Sequence, residues 1–328
     1  MTSSKMKAVV LMQFGGPDSL DAVEPFLYNL FSDPDIVQIP LGFLFQKPLA
    51  KLISSTRSKS VRLKYAEIGG KSPIVEQTLK QQRALQQALD KHYGTDSVYV
   101  GLAMRYWKPF TTEAVLELKR REITDVVLLP LYAQYSVTNA ASSFNEWNRV
   151  TKQMHLHFNE RRIEQYYDNS LYLDALNERI DAGLARFANP QSVHILFSAH
   201  GTPVDLVTKG DPYSKQIKET MELVMSRRPM KNPYSLSFQS KVGPKKWLEP
   251  ATDKTIQEFG AQGVNHILVV PIAFVSDHIE TVHELNIEVR EIAEHAGIQQ
   301  FEVCEGLNDS PLFIESLCQI ASKALDLL

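Results

Sequence analysis

Residues 265–290 read NHILVVPIAFVSDHIETVHELNIEVR. The first part, Ile267 to Phe274, is an apolar run of strand length, buried on both faces. The pattern breaks at Val275-Ser276, and a helix follows that carries Asp277, His278, Glu280, His283, Glu284 and Glu288. A buried strand that feeds directly into a helix is the repeating unit of a parallel sheet with covered faces. Glu280, Glu284 and Glu288 stand four apart, so a helix lines them up on one face. Like charges at that spacing destabilise a helix by about 0.2–0.5 kcal/mol per pair. Two readings are open at this point: a solvated acidic face, or one wall of a cation site.

The same rhythm runs through the chain. Lys7–Met12, Val98–Met104, Val126–Tyr132, Val193–Ser198 and Tyr234–Phe238 also read as buried strands. Helical patterns lie between them, at Pro73–His92 (Ser72 as N-cap), Thr112–Arg121, Leu171–Phe187, Pro212–Met225 and Asp253–Ala261. The halves also match each other. Val9–Pro17 (VVLMQFGGP) aligns with Ile195–Pro203 (ILFSAHGTP), Pro17 against Pro203, an offset of 186. Asp125–Ala133 (DVVLLPLYA) aligns with His266–Phe274 (HILVVPIAF), Pro130 against Pro271, an offset of 141. The first half therefore carries about 45 additional residues, assigned to an insertion over residues 40–71. The fold expected is α/β, with two similar Rossmann-like domains, each a doubly wound parallel sheet. Their ranges are 1–165 and 166–308, and a C-terminal helix over 309–328 packs back on the first.

In such sheets ligands bind beyond the C-terminal strand ends. Gln13–Pro17, Arg105–Pro109, Tyr132–Thr138, Ala199–Pro203 and Val275–Glu284 all fall there. His200 stands where the first half has Phe14. It is either a functional base or a capping histidine that orients its loop.

A chain of 328 residues is long enough for two cores, and a net charge of −3 provides no basic field for nucleic acid. Gly15-Gly16-Pro17 has no third spaced glycine, and neither a Gly-x-x-x-x-Gly-Lys-Ser/Thr nor a Gly-x-Ser-x-Gly motif occurs. Nucleotide-dependent and serine-hydrolase chemistry are disfavoured. Two cysteines, Cys304 and Cys318, are too few for a cluster, and they fit a reducing, cytoplasmic setting. The N-terminal apolar run is too short for a signal peptide, and no stretch reaches membrane-spanning length. Pro40–Ile53 is apolar with Lys47 and Lys51. It reads as an ordinary buried helix, a cover for a greasy ligand, or a peripheral contact with a membrane surface. Arg57, Lys59, Arg62, Lys64 and Lys71 follow; taken singly most read as solvated surface charge, and with Arg105 and Lys241 they read alternatively as receivers for the carboxylates of an anionic ligand.

One family carries all these pieces in order. Leu11–Pro17, Phe31–Pro34 (FSDP), Ile68–Pro73 (IGGKSP), Arg105-Tyr106, Gln134–Ser136 (QYS), Ser198–Gly201 (SAHG), Lys209–Tyr213 (KGDPY), Gln239–Pro244 (QSKVGP), Trp247–Pro250 (WLEP) and Pro271–Thr281 resemble the ferrochelatases of haem synthesis. The resemblance covers roughly residues 7 to 320. It implies two Rossmann-like domains around a porphyrin cleft and insertion of Fe²⁺ into the macrocycle; the apolar Pro40–Ile53 segment favours protoporphyrin IX over coproporphyrin III. Porphyrin and ferrous iron are then substrates, no cofactor is permanently bound, and no iron–sulfur cluster is expected. In that family the histidine and the first glutamate, here His200 and Glu280, face one another across the porphyrin. His200 is expected to take protons and Glu280 to handle metal, with Asp277 and Glu284 as further metal donors. Glu284, Glu288 and His283 form the expected proton or metal path, on a helix with a π-type turn. Phe14, Arg57, Tyr65, Ser72, Arg105, Tyr106, Tyr135 and Lys241 fall at porphyrin-binding positions. Departures from the family pattern include Gln13, Phe14, Lys71, Ala133 and Val282-His283. Alternatives are a chelatase for another tetrapyrrole or metal such as cobalt, a tetrapyrrole- or metal-binding protein without turnover, and a two-domain module of periplasmic type. The expected location is cytoplasmic, with peripheral attachment to the inner membrane.

Overall fold

The computed structural model describes residues 5–37, 42–241 and 245–328. Pro40 and Leu41, at the start of the apolar insertion, lie outside them. The chain divides into two compact units, Met1–Gln165 with Ile314–Leu328, and Tyr166–Phe313.

Each unit is built on a four-stranded, all-parallel sheet. The first contains β1 (Lys7–Gln13), β2 (Val98–Met104), β3 (Asp125–Pro130) and β4 (Asn159–Arg162), in the order β2-β1-β3-β4. The second contains β5 (His194–His200), β6 (Tyr234–Gln239), β7 (His266–Pro271) and β8 (Gln300–Val303), in the order β6-β5-β7-β8. The orders are the same, so the internal match in the sequence is a match of topology. The central strands earn their place by burial: Val9, Val10 and Leu11, and Ile195, Leu196 and Phe197, are all fully inaccessible. Helices on both faces supply the cover, as apolar parallel strands require.

Six of the eight strands are those the apolar runs predict. β4 and β8 were not expected. Asn159-Glu-Arg-Arg162 is a charged edge strand on β3, and Gln300–Val303 an edge strand on β7 whose Phe301 and Val303 alone are buried. Edge strands need no continuous apolar run, and charge on them blocks further pairing.

The insertion forms one helix of 26 residues, Gly42–Glu67, with Pro48 in its first two turns. Leu44, Phe45, Leu52 and Leu63 stay more than half exposed on it. The helix Ile74–Tyr93 has Pro73 rather than Ser72 at its N-cap, while Ser72 Oγ still accepts the Ile74 N–H at 3.4 Å. The C-terminal helix Pro311–Leu325 ends against the first sheet, where Lys7 Nζ donates to the Leu325 carbonyl (2.8 Å) and the Tyr93 hydroxyl to Asp326 (2.9 Å).

Two π-helices occupy equivalent places, Val137–Ala141 after β3 and Glu280–Val289 after β7. In the second, Leu285 and Val289 enter the core beside Leu196, Ile267 and Phe301. That burial fixes which side of the helix is left for its carboxylates.

Gly260, in the helix Thr252–Ala261, abuts the Ala296 carbonyl so closely that a Cβ would collide with backbone. Alanine's better helix propensity, about 1 kcal/mol, does not offset such overpacking. Gly260→Ala is expected to destabilise the protein by about 1–2 kcal/mol net, read as a lowered urea midpoint by circular dichroism.

Candidate functional site

In each sheet the order reverses between the first and third strands of the unit, which opens a crevice at their C-terminal ends. In the second unit that crevice lies at the ends of β5 and β7. His200 is the last residue of β5. Glu280 opens the π-helix that follows β7.

Their side chains touch. His200 Nδ1 lies 2.8 Å from Glu280 Oε2. The expectation that the two face one another across a porphyrin therefore does not hold, since a macrocycle has no room between atoms in hydrogen-bond contact. Gly201 lets the chain make this turn: its N–H donates to the Gln239 carbonyl at 2.8 Å, and a Cβ would come within 2.9 Å of that oxygen. The Tyr213 hydroxyl holds the His200 carbonyl at 3.0 Å. The rings of Trp247 and Phe274 flank the imidazole edgewise, each with its centroid 6.4 Å away.

Glu280 continues into a second contact. Ser240 Oγ lies 2.8 Å from Glu280 Oε2 and 2.6 Å from Glu284 Oε2, and the Ser240 N–H donates to Glu284 Oε1 at 2.8 Å. Ser240 adopts φ +67°, a left-handed conformation unusual for serine, at the end of β6. A hydroxyl has one proton to give. It satisfies one carboxylate, and the other contact is complete when that carboxyl is itself protonated. The electrostatics agree with this division. Burial, the largest influence on Glu284, and the adjacent Glu280 charge both raise its pKa. Burial also works against the Glu280 charge, but His200, His278 and the Ser240 hydroxyl outweigh it and hold that carboxyl below its ordinary value. Burial disfavours the His200 cation, yet Glu280 and Glu284 keep its pKa above the usual histidine value. His278, with Nε2 3.9 Å from Glu280 Oε1, goes the other way, because burial, its largest influence, lowers its pKa.

The remaining acidic residues separate from this pair. Asp277 accepts from Thr281 Oγ1 (2.9 Å), the Gly306 N–H (3.1 Å) and Asn308 Nδ2 (2.7 Å). Glu288 faces His283, with Oε2 3.8 Å from Nδ1, and His283 is 3% exposed. The four expected metal donors thus do not converge. Among the described residues no three His, Cys, Asp or Glu side chains form a cation cage. The solvated-face reading fails for Glu280, whose side chain is only 24% exposed, and fits Glu288 better at 39%.

The first unit places a different chemistry at its crevice. Arg105 Nη2 pairs with Asp33 Oδ2 at 2.8 Å, and Arg105 Nε donates to Ser142 Oγ at 2.9 Å. The Tyr106 hydroxyl donates to the same Asp33 oxygen at 2.5 Å. Asp33 is 2% exposed and Tyr106 1%. These two expected porphyrin contacts are committed to an internal carboxylate that the sequence motif Phe31–Pro34 contained but did not mark. Phe14 stacks edgewise on Tyr106 at 4.7 Å. Arg57 lies over the Phe31 ring at 5.6 Å. Tyr65 and Ser72 are buried, and Gly16 passes so close to Ser72 that a Cβ would come within 2.6 Å of its side chain. Tyr135 packs on the first core, and Lys241 is exposed just past Ser240.

The sequence did not mark Ser240, Gln239, Tyr213 and Asp33 as participants, and it offered His278 without a role. Gln239-Ser240 lay inside a motif that was read, but serine gives no signal of a positive φ.

A chain of two α/β units, each on a four-stranded parallel sheet, shares its fold with chelatases among solved structures. SirB from Bacillus subtilis with Fe³⁺ superposes with a TM-score of 0.56 at 9% identity, over 97% of this chain and 96% of that one. CbiX, the terminal enzyme for siroheme biosynthesis in denitrifying bacteria, gives 0.51 at 10%, over 97% and 99%. At such identities the likeness is one of fold. Sequence carries the rest: a family model described as Ferrochelatase matches residues 6–325. The chain is 47% identical to the ferrochelatase of Aquifex aeolicus over 312 residues, 95% of this chain and 97% of that protein. It is 46% identical to that of Geobacter metallireducens over 321 residues, 98% and 99%. This chain belongs to the ferrochelatase family.

Glu280→Gln removes the charge that holds the His200 proton. The His200 midpoint, raised in the native pair, is expected to move to lower pH in this variant, followed by NMR of the imidazole carbons. Asp33→Ala removes the buried carboxylate that Arg105 meets at 2.8 Å and leaves the half-buried guanidinium only Glu146, at 3.8 Å. A loss of about 3–5 kcal/mol in unfolding free energy is expected, as for other broken buried pairs.

Proposed function

We propose that the protein inserts Fe²⁺ into protoporphyrin IX, with release of two protons, the last step of haem synthesis. The observation that carries this reading is the 2.8 Å contact between His200 Nδ1 and Glu280 Oε2 at the second switch point of a ferrochelatase-family chain. Both pyrrole N–H protons must leave as iron enters the ring. His200 accepts them in turn, because its nearby carboxylates favour the protonated imidazole. Glu280 shares the proton, and Ser240 joins it to Glu284, whose raised pKa lets it carry the neutral form. The path runs outward in the order His200, Glu280, Ser240, Glu284. Glu280 also offers ferrous iron an oxygen donor of suitable hardness. We expect no resident cofactor: after exhaustive chelation, activity is expected to return with Fe²⁺ alone.

Protoporphyrin is favoured over coproporphyrin by the greasy surface of Gly42–Glu67, where Leu44 is 57%, Phe45 54% and Leu52 59% exposed. The same surface supports peripheral contact between a cytoplasmic protein and a membrane. Among the described residues no helix is long and apolar enough to cross one.

The test is anaerobic incubation with Fe²⁺ and either porphyrin, followed by haem absorbance. Faster turnover of protoporphyrin IX is expected, faster turnover of coproporphyrin III reverses the substrate assignment, and none with either sinks the reading. His200→Ala is expected to lower kcat by roughly 100-fold or more while porphyrin fluorescence still reports binding. Leu44→Glu with Phe45→Glu is expected to abolish cosedimentation with anionic vesicles and to leave turnover of detergent-dispersed porphyrin within about twofold.

A further inference from the structure

We infer that Asp277 and Asn308 form a brace that positions Glu280 against His200, and that Asp277 serves the reaction through this brace instead of as an iron ligand. The assay for it rests on the ferrochelatase reading above, whereas the brace itself rests on geometry.

Asp277 stands in the turn between β7 and the π-helix, three residues before Glu280. Both of its carboxylate oxygens are occupied. Oδ1 accepts from Thr281 Oγ1 and from the Gly306 N–H, and Oδ2 accepts from Asn308 Nδ2 at 2.7 Å. The Asp277 N–H in turn donates to Asn308 Oδ1 at 2.9 Å, and the Asn308 N–H to the Val275 carbonyl at 2.8 Å. The two residues are thus bonded reciprocally, side chain to side chain and side chain to backbone, across 31 positions of sequence. A cation at Asp277 would have to displace N–H and O–H donors from both oxygens.

The loop that provides Asn308 is shaped for this contact. Gly306 passes so close that a Cβ would lie 2.9 Å from the Asp277 nitrogen. Asn308 adopts φ +47°, which asparagine tolerates better than most residues, and it is 8% exposed. Thr281, fully buried, carries the restraint to the helix: its hydroxyl donates to Asp277 and accepts the His278 N–H at 3.1 Å. Glu280 is the residue immediately before Thr281. Fixing Asp277 and Thr281 on either side leaves its Cα little freedom, and its carboxylate must meet His200 Nδ1 and Ser240 Oγ, each at 2.8 Å. Asp277 and Asn308 are therefore positioning residues.

The reciprocal pair allows a swap test. In Asp277→Asn with Asn308→Asp, the new asparagine keeps one oxygen for Thr281 and Gly306, and its amide donates to the new carboxylate. That carboxylate accepts the backbone N–H as before, so every bond survives with one donor reversed. In either single variant two like groups confront each other. Asp277→Asn and Asn308→Asp are each expected to lower the thermal midpoint. Each is also expected to lower kcat roughly 10- to 100-fold, as a misplaced reacting group does, with KM for porphyrin unchanged. The swap is expected to recover the midpoint and to return kcat to within about threefold of the parent. A swap that recovers the midpoint but not kcat overturns the inference, because a carboxylate at 277 is then required for itself. Single variants that lose thermal stability but keep parental kcat overturn it too, since the brace is then only structural. A swap that fails to recover the midpoint overturns the pairing. Should the parent not metallate porphyrin at all, the ferrochelatase reading fails separately, and the midpoints still judge the pairing.

Discussion

In the Glu280–Val289 helix the backbone hydrogen bonds reach five residues back instead of four, and they do so for ten residues. Most π segments are single turns, because the wider spiral packs its own backbone poorly. Here the surroundings compensate. Leu285 and Val289 anchor one side in the core. Asn286 Nδ2 bonds the Thr281 carbonyl five residues back at 3.1 Å. Ser240 pins the two carboxylates of the first turn from the end of β6. The wide spiral changes which residues share a face, so Glu280 and Glu284 meet one hydroxyl while Glu288 turns to His283. The placement of the acid–base groups therefore depends on a helix geometry that is stable only in this setting.

What the sequence made legible follows from burial. Strands covered on both faces must be apolar throughout, and six of them stood out. Asn159–Arg162 and Gln300–Val303 are held by backbone pairing to one neighbour, and their side chains carry little of that signal. The site was legible in its main pair, since a histidine ending one strand and a glutamate opening the helix after another both sit where α/β sheets bind ligands. The partners of that pair were not. Asn308 reaches Asp277 from 31 residues away, and Asp33 reaches Arg105 across a still longer gap. Pairwise spacing along a chain cannot show a contact that the fold alone creates. For the same reason Asp277 read as a donor for metal, when its neighbours already use its oxygens.

The two units answer one architectural position with opposite chemistry. At the end of β1 stands Phe14, packed on Tyr106 and backed by the half-buried Arg105 paired with buried Asp33. At the end of β5 stands His200, on a carboxylate linked to a second one. In the first set burial pushes the Tyr106 hydroxyl far from ionising, and Asp33 pairs with the Arg105 guanidinium at 2.8 Å. In the second set neighbouring carboxylates raise the pKa of His200, and burial with the Glu280 charge raises that of Glu284, while Glu280 is held below its ordinary value. Identical sheet orders thus support one rigid lining and one titratable site.

The first unit is discontinuous, made of residues up to Gln165 and again from Ile314 to Leu328. The second unit is one unbroken stretch between them. On a ribosome adding roughly 5–20 residues per second, the 148 residues of the second unit are made between Gln165 and the closing segment at Ile314, an interval of roughly 7–30 seconds. Through that interval Lys7 and Tyr93 lack the partners that Leu325 and Asp326 later provide. The order of synthesis makes the acid–base half the first to be complete, and the half that begins the chain the last to close.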